Sequence, residues 1–357
     1  MLLARVADRI YWAARYVERA EDTARLVRAH SELMADLPPQ IETRWEPLVA
    51  VTGSDVRFRD RNGHTPSAPA PSPTRTQSHP QSGGRGQSQS QSGGRGQSQS
   101  QAQSQGGRPD DVEMAVARFL ITDRNNPSSV VSSVMAAREN LRTTRDTVPR
   151  DGWHAVNDLY LYVTTEADRG ADRRVRERFL SRVISDGRRL DGVLATAMTH
   201  DEAYVMWRLG RALERADMTT RVLGVRAADV LSQPHVGGND HDEVQWMGVL
   251  RSVWGLQMYQ RAVRGPIEGT AVVRFLLEHD RFPRAVRALL REMRLALAEL
   301  PDPGGPLDAV AHVEAVLRDS AAASTDGSAL DAAMDDLQVA IAQVDKRIND
   351  RYLQVGV

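Results

Sequence analysis

Glu18 and Arg19, in the stretch VERAEDTARLV, and Glu214 and Arg215, in LERADMTTRVL, place a carboxylate beside a guanidinium twice in one chain. The repetition runs residue for residue. Arg15, Glu18, Arg19, Ala20, Glu21, Thr23 and Arg25 return as Arg211, Glu214, Arg215, Ala216, Asp217, Thr219 and Arg221. An arginine fork recognises a carboxylate or phosphate through paired N–H bonds, and a glutamate can receive an ammonium or orient the arginine. A related group stands in AARENLRTTR, where Glu139, Asn140 and Arg142 fall close together and Glu139 and Arg142 are spaced i, i+3. These residues are expected to form a polar site for a partner or a peptide-like substrate. Two other readings stay open. The motifs could form a buried network that sets helix register, or Glu18 or Glu214 could serve as general base in an amide-forming or amide-cleaving enzyme. Neighbouring arginines count against the base, because they lower a carboxyl pKa that such a role needs raised.

Other chemistries find little support in these residue types. The chain has no Cys, which excludes thiol nucleophiles, disulfides and Cys-ligated zinc. Its SGGRG segments are low-complexity repeat rather than a phosphate-binding loop. Glu18-x-x-Glu21 and Glu214-x-x-Asp217 have the carboxylate spacing of a di-iron bundle, but no His completes either, and the arginines oppose a cation. Neither a metal nor a cofactor is expected. HDE occurs at His200 and His241, where Asp201 and Asp242 are expected to cap helix N-termini. His235 and His241 in a Gly-rich loop make only a weak ligand pair. Trp12, Tyr16, Trp207, Trp254 and Tyr259 sit at helical spacings and are expected to be core or groove walls.

A formal net charge of −1 gives no reason to expect nucleic acid or an anionic membrane as partner. No apolar run approaches the ~20 residues that span a bilayer. The first residues, MLLARVADRIYW, carry charges where a signal peptide would be apolar. A cytoplasmic protein is expected. The basic charge is nearly all arginine, with Lys346 the single lysine; its even spread suggests nucleotide composition rather than a site.

The motifs must be positioned by helices. Leu3, Val6, Ile10, Ala13, Val17, Ala20, Ala24 and Val27 recur by threes and fours, and DLPPQ ends that run. On the helical wheel Arg15, Glu18, Asp22 and Arg25 fall together, away from the apolar stripe, while Glu21 lies at its edge. Further helical patterns follow to the C-terminal end, including one predicted helix over 242–263 and one that starts with Asn126 as cap and Pro127 at the first helical position. Period-two strand signals are absent. The expected fold is all-α, a single bundle-like domain of roughly ten helices. Its parts are N-terminal helices over 1–59, a disordered Ser/Gln/Gly/Arg-rich insertion over 60–109, and the remaining helices over 110–357. Within the insertion QSGGRGQSQS occurs twice in succession, and such composition cannot bury enough apolar area to offset the entropy of ordering.

Three long stretches resemble the alpha-E family, a bacterial all-helical domain named for its Glu-Arg motif: RVADRIYWAARYVERAEDTARLV, NNPSSVVSSVMAARENLRTTRDTVPRDGWHAVNDLYLYV and LGRALERADMTTRVL. FLLEHDRFPRAV and the helix carrying Tyr352 resemble it as well. The family's pair lands on Glu18–Arg19 and Glu214–Arg215. The resemblance implies a role beside a circularly permuted ATP-grasp protein, often with a transglutaminase-like cysteine protease, in a cytoplasmic peptide-ligation or amide-forming system. It implies no catalytic activity for the helical domain itself.

Overall fold

The computed structural model describes residues 2–36, 44–62, 109–227, 239–323 and 327–354. Among them lie fourteen α-helices and no strand. In chain order these are α1 (Ala4–Asp36), α2 (Pro47–Val51), α3 (Asp55–Asn62), α4 (Pro109–Ile121), α5 (Val130–Thr143), α6 (Arg150–Gly170) and α7 (Arg173–Ala197). Then come α8 (Glu202–Val222), α9 (Asn239–Ser252), α10 (Leu256–Ala262), α11 (Gly269–Glu278), α12 (Val286–Ala298), α13 (Gly304–Ala323) and α14 (Gly327–Ile348). Two π-helical segments, Leu223–Ala227 and Asn349–Leu353, extend α8 and α14.

The first helix organises the rest. At 33 residues it spans about 50 Å. From Ala20 to Val27 it is buried on every side, and before that, from Ile10 on, only Trp12, Tyr16 and Arg19 keep partial exposure. Its repeated alanines let neighbours come close, and α5, α7 and α8 surround it. α8 comes close, with Gly210 against the Tyr11 carbonyl oxygen. A helix enclosed in this way keeps only a narrow strip toward solvent. α12 packs on the outer side of α8, α6 closes on α7, and α13 pairs with α14.

Three local readings are corrected. α5 starts at Val130, not at Pro127, because Ser129 takes the cap and its side chain accepts from the Ser132 N–H. Asn126 is buried before that turn, accepting from Ser54 Oγ and the Ser128 N–H and donating to the Phe119 carbonyl. The predicted helix over 242–263 is two helices, α9 and α10, broken at Trp254, whose φ of 57° is left-handed and cannot continue a helix. Asp201 does cap α8, accepting from the Ala203 and Tyr204 N–H groups, whereas Asp242 lies inside the first turns of α9. The predicted insertion over 60–109 lies outside the described residues apart from its ends: residues 60–62 close α3, and Pro109 opens α4. His235 also lies outside them. No described helix is long and apolar enough to cross a membrane.

Candidate functional site

The two Glu–Arg copies meet. α1 and α8 run side by side in the same direction, from Leu2 beside Glu202 through Tyr11 beside Gly210 to the motifs, so each copy grips the other through equivalent residues. Arg15 Nε donates to Glu214 Oε2 at 2.7 Å, and its counterpart Arg211 Nε donates to Glu18 Oε2 at the same 2.7 Å. Arg19 adds a second bond to Glu214, at 2.6 Å from Nε to Oε1, and its counterpart Arg215 brings Nε to 3.0 Å from Glu18 Oε2. A parallel pair of like helices in matched register carries a local two-fold axis along the pair, and the equivalent bonds place Glu18 and Glu214 on either side of it.

Segments distant in the chain complete the network. Arg284, just before α12, donates to Glu18 Oε1 at 2.7 Å and to Asp22 Oδ1 at 2.8 Å. Asp345 of α14 accepts from Arg15 at 2.7 Å and from the Tyr11 hydroxyl. Asp191 of α7 lies 2.6 Å from Arg211. Arg25 binds Asp22 at 2.7 Å and Glu21 at 3.2 Å within α1. Six arginines (15, 19, 25, 211, 215 and 284) thus face six carboxylates (18, 21, 22, 191, 214 and 345), a formal balance of zero. Balance is required, since an unpaired charge in such surroundings costs several kcal/mol.

Arg15, Glu18, Asp22 and Arg25 are all buried, Glu18 completely, although their side of the wheel reads as polar. The physical reason is the enclosure of α1: what a wheel marks as its outer face is covered by α8 and the segment before α12. Glu21 is buried as well, against Arg25, Arg211 and Arg284. Its counterpart Asp217 is half-buried and pairs with Arg221 at i, i+4. The expected third contributor stays apart. Glu139 and Arg142 pair with each other in solvent at 2.7 Å, and Asn140 accepts from Arg9 at 2.9 Å. Sequence reasoning did not single out Arg284, Asp345 or Asp191 as site residues. Their helices are legible, but nothing local marks those three among many arginines and aspartates.

The arrangement sets the protonation of its acids. Burial alone would raise Glu18, but Arg211, Arg215 and Arg284 outweigh it and hold the carboxyl well below its ordinary value. Glu214 responds the same way: burial opposes ionisation, and Arg19 and Arg15 bring it down to about 2. Asp22 goes the other way. Burial, supported by the charges of Glu18 and Glu21, pushes it up to about 6 against Arg284 and Arg25. Its Oδ2 lacks a partner, consistent with a carboxyl held less firmly than the others.

Opposite pH dependences follow. Glu214, with a folded value below its unfolded one, stabilises the fold above about pH 4.5, and that contribution is lost as pH falls toward about 2. Asp22, with a folded value above its unfolded one, gives a contribution that is full below about pH 3.8 and is lost as pH rises through about 6. Asp22→Asn is therefore expected to gain stability relative to wild type between pH 4 and 7, on the order of 2–3 kcal/mol. Urea unfolding at several pH values checks this; a difference that does not vary with pH would refute the assignment.

Among the described residues no group of three or more His, Asp or Glu is placed to hold a metal ion. The fold and its core define an all-helical domain in which a duplicated Glu–Arg motif is self-complementary. The chain belongs to the Alpha-E family, whose model, described as a predicted alpha-helical domain with a conserved ER motif, matches residues 2–353. Comparisons with curated proteins and with solved structures return no match.

Proposed function

We propose that this protein is an accessory, non-catalytic helical component of a cytoplasmic peptide-ligation or amide-forming system, working beside a circularly permuted ATP-grasp protein and a transglutaminase-like cysteine protease. Membership of the Alpha-E family over nearly the whole chain supports the association. The observation that carries the accessory role is the state of the motif carboxylates. Glu18 and Glu214 are enclosed, bound by two or three guanidiniums each, and held acidic. A general base needs the reverse: access to substrate and a pKa near neutrality.

In this reading the inner half of each motif fastens α1 to α8 and the outer half meets the partner or a peptide-like substrate. Arg19, Arg215, Asp217 and Arg221 keep part of their side chains at the surface, and the Glu139–Arg142 pair is exposed. Tagged wild type is expected to co-purify the ATP-grasp protein from its host. Glu139→Ala/Arg142→Ala, whose helicity should be unchanged by circular dichroism, is expected to recover less of it. If wild type brings down no ATP-grasp protein, the association is wrong; equal recovery with the variant would move the contact off this face.

A further inference from the structure

We propose that the corner where α1, α7 and the α9–α10 break meet is a binding site for a small oxyanion, a carboxylate or phosphate borne on an apolar or planar body. A cavity of about 440 Å³ opens there, lined among others by Arg25, Arg28, Arg188, Arg251, Trp254 and Met258. That volume suits a ligand of modest size rather than a trapped water.

Charge is the first reason. Three of the four lining arginines are neutralised: Arg25 by Asp22 and Glu21, Arg28 by Glu32 at 3.2 Å, and Arg251 by Asp36 at 2.9 Å. Arg188 is not. It forms no ion pair with any described carboxylate, and it lies over the face of Trp254. Burial, together with repulsion from Arg25, Arg284 and Arg28, outweighs the attraction of Glu21 and shifts Arg188 below the ordinary arginine value, so an anion placed here would relieve the crowding. The balanced core beside it shows what this chain does where arginines serve structure alone: every one has an acid. The excess at Arg188 is left facing an open cavity.

The second reason is the wall. Trp254 is half-buried at the helix break, in a left-handed conformation that a bulky residue rarely adopts. Neighbouring bonds hold it there: its N–H donates to the Arg251 carbonyl at 3.1 Å, and Gly255 N–H donates to Leu250 at 2.7 Å. Non-glycine residues held in such backbone states cluster at ligand sites. The ring has guanidiniums at 4.6 Å (Arg25) and 6.0 Å (Arg284) besides Arg188. Met258, an exposed apolar side chain, continues the surface beyond it. A ligand would set its oxyanion on Arg188, with Arg28 and Arg251 able to turn from their exposed acids, and rest its body on Trp254 and Met258. The site adjoins the buried motif through Arg25 and does not depend on the ATP-grasp association.

The test uses the full chain with four probes: phenyl phosphate, inorganic phosphate, N-acetylphenylalanine and its uncharged amide. Binding is read by calorimetry and by quenching of tryptophan fluorescence that Trp254→Phe removes. At least one of phenyl phosphate and N-acetylphenylalanine is expected to saturate, and which one does separates phosphate from carboxylate. The amide should bind at least tenfold more weakly. Arg188→Gln should weaken binding at least tenfold, with a Tm equal to or above that of wild type, because it removes a crowded charge. The proposal is overturned if neither organic anion saturates on wild type, if Arg188→Gln binds as wild type does, or if its Tm falls and so marks Arg188 as structural. Saturation by inorganic phosphate alone would overturn the part assigned to Trp254 and Met258.

Discussion

Glu18→Ala is expected to destabilise the protein by about 3–5 kcal/mol, the range found when one partner of a buried ion network is removed. The loss comes less from the bonds than from what remains. Arg211 and Arg284 donate to Glu18, Arg215 lies 3.0 Å from it, and the carboxylate is wholly enclosed. Without it, three guanidiniums share a dry space with only Glu21, Asp22 and Asp191 to balance them. Glu18→Gln keeps the volume and one acceptor, and should lie between alanine and wild type. Urea midpoints measure the series. Glu139→Ala serves as the comparison, because that glutamate pairs in solvent and its removal should leave the midpoint unmoved. Equal effects at 18 and 139 would show that the charged core does not hold α1 to α8.

Gly210→Ala should cost about 1–3 kcal/mol although alanine is the better helix former. A Cβ at 210 would stand 2.4 Å from the Tyr11 carbonyl oxygen and 3.0 Å from Ala14 Cβ. The oxygen belongs to the backbone of a buried helix and has nowhere to go, so α8 must back away. Moving it also stretches Arg15–Glu214 and Arg211–Glu18, which depend on the same close approach. Gly192→Ala is the matched control. Gly192 is an exposed residue within α7, and its added Cβ would meet nothing within 4 Å. There the same substitution should stabilise by about 0.5–1 kcal/mol, since glycine loses more chain entropy in a helix. Opposite signs by thermal unfolding are the expected result. A gain at 210 would mean that the two helices do not pack at this point.

Both effects centre on one crossing, and its duplicated motif gives the crossing its specificity. A shift of α8 along α1 by one turn would move Arg211 away from Glu18 and Arg15 away from Glu214 together. Apolar surfaces tolerate such slippage better than paired ions do. Asp22 and Arg284 break the local symmetry: the position equivalent to Asp22 is Met218, and Arg284 binds only acids of α1.

Local spacing was enough to determine that this chain is all-helical, where most of its helices run, and that one Glu–Arg motif occurs twice in the same register. Helix periodicity is a property of neighbours three and four residues apart, so it is written in the chain itself. Tertiary structure alone decided that Arg15, Glu18, Asp22 and Arg25 are core rather than surface, because a wheel assumes one buried face and α1 is covered on nearly all sides. It alone decided that the copies face one another on parallel helices, that Arg284, Asp345 and Asp191 join them, and that Glu139 and Arg142 do not. Partners separated by some 190 to 330 residues leave no spacing to read. What pairs them is the need of each buried charge for an opposite one, and only the packed fold shows which charges are buried.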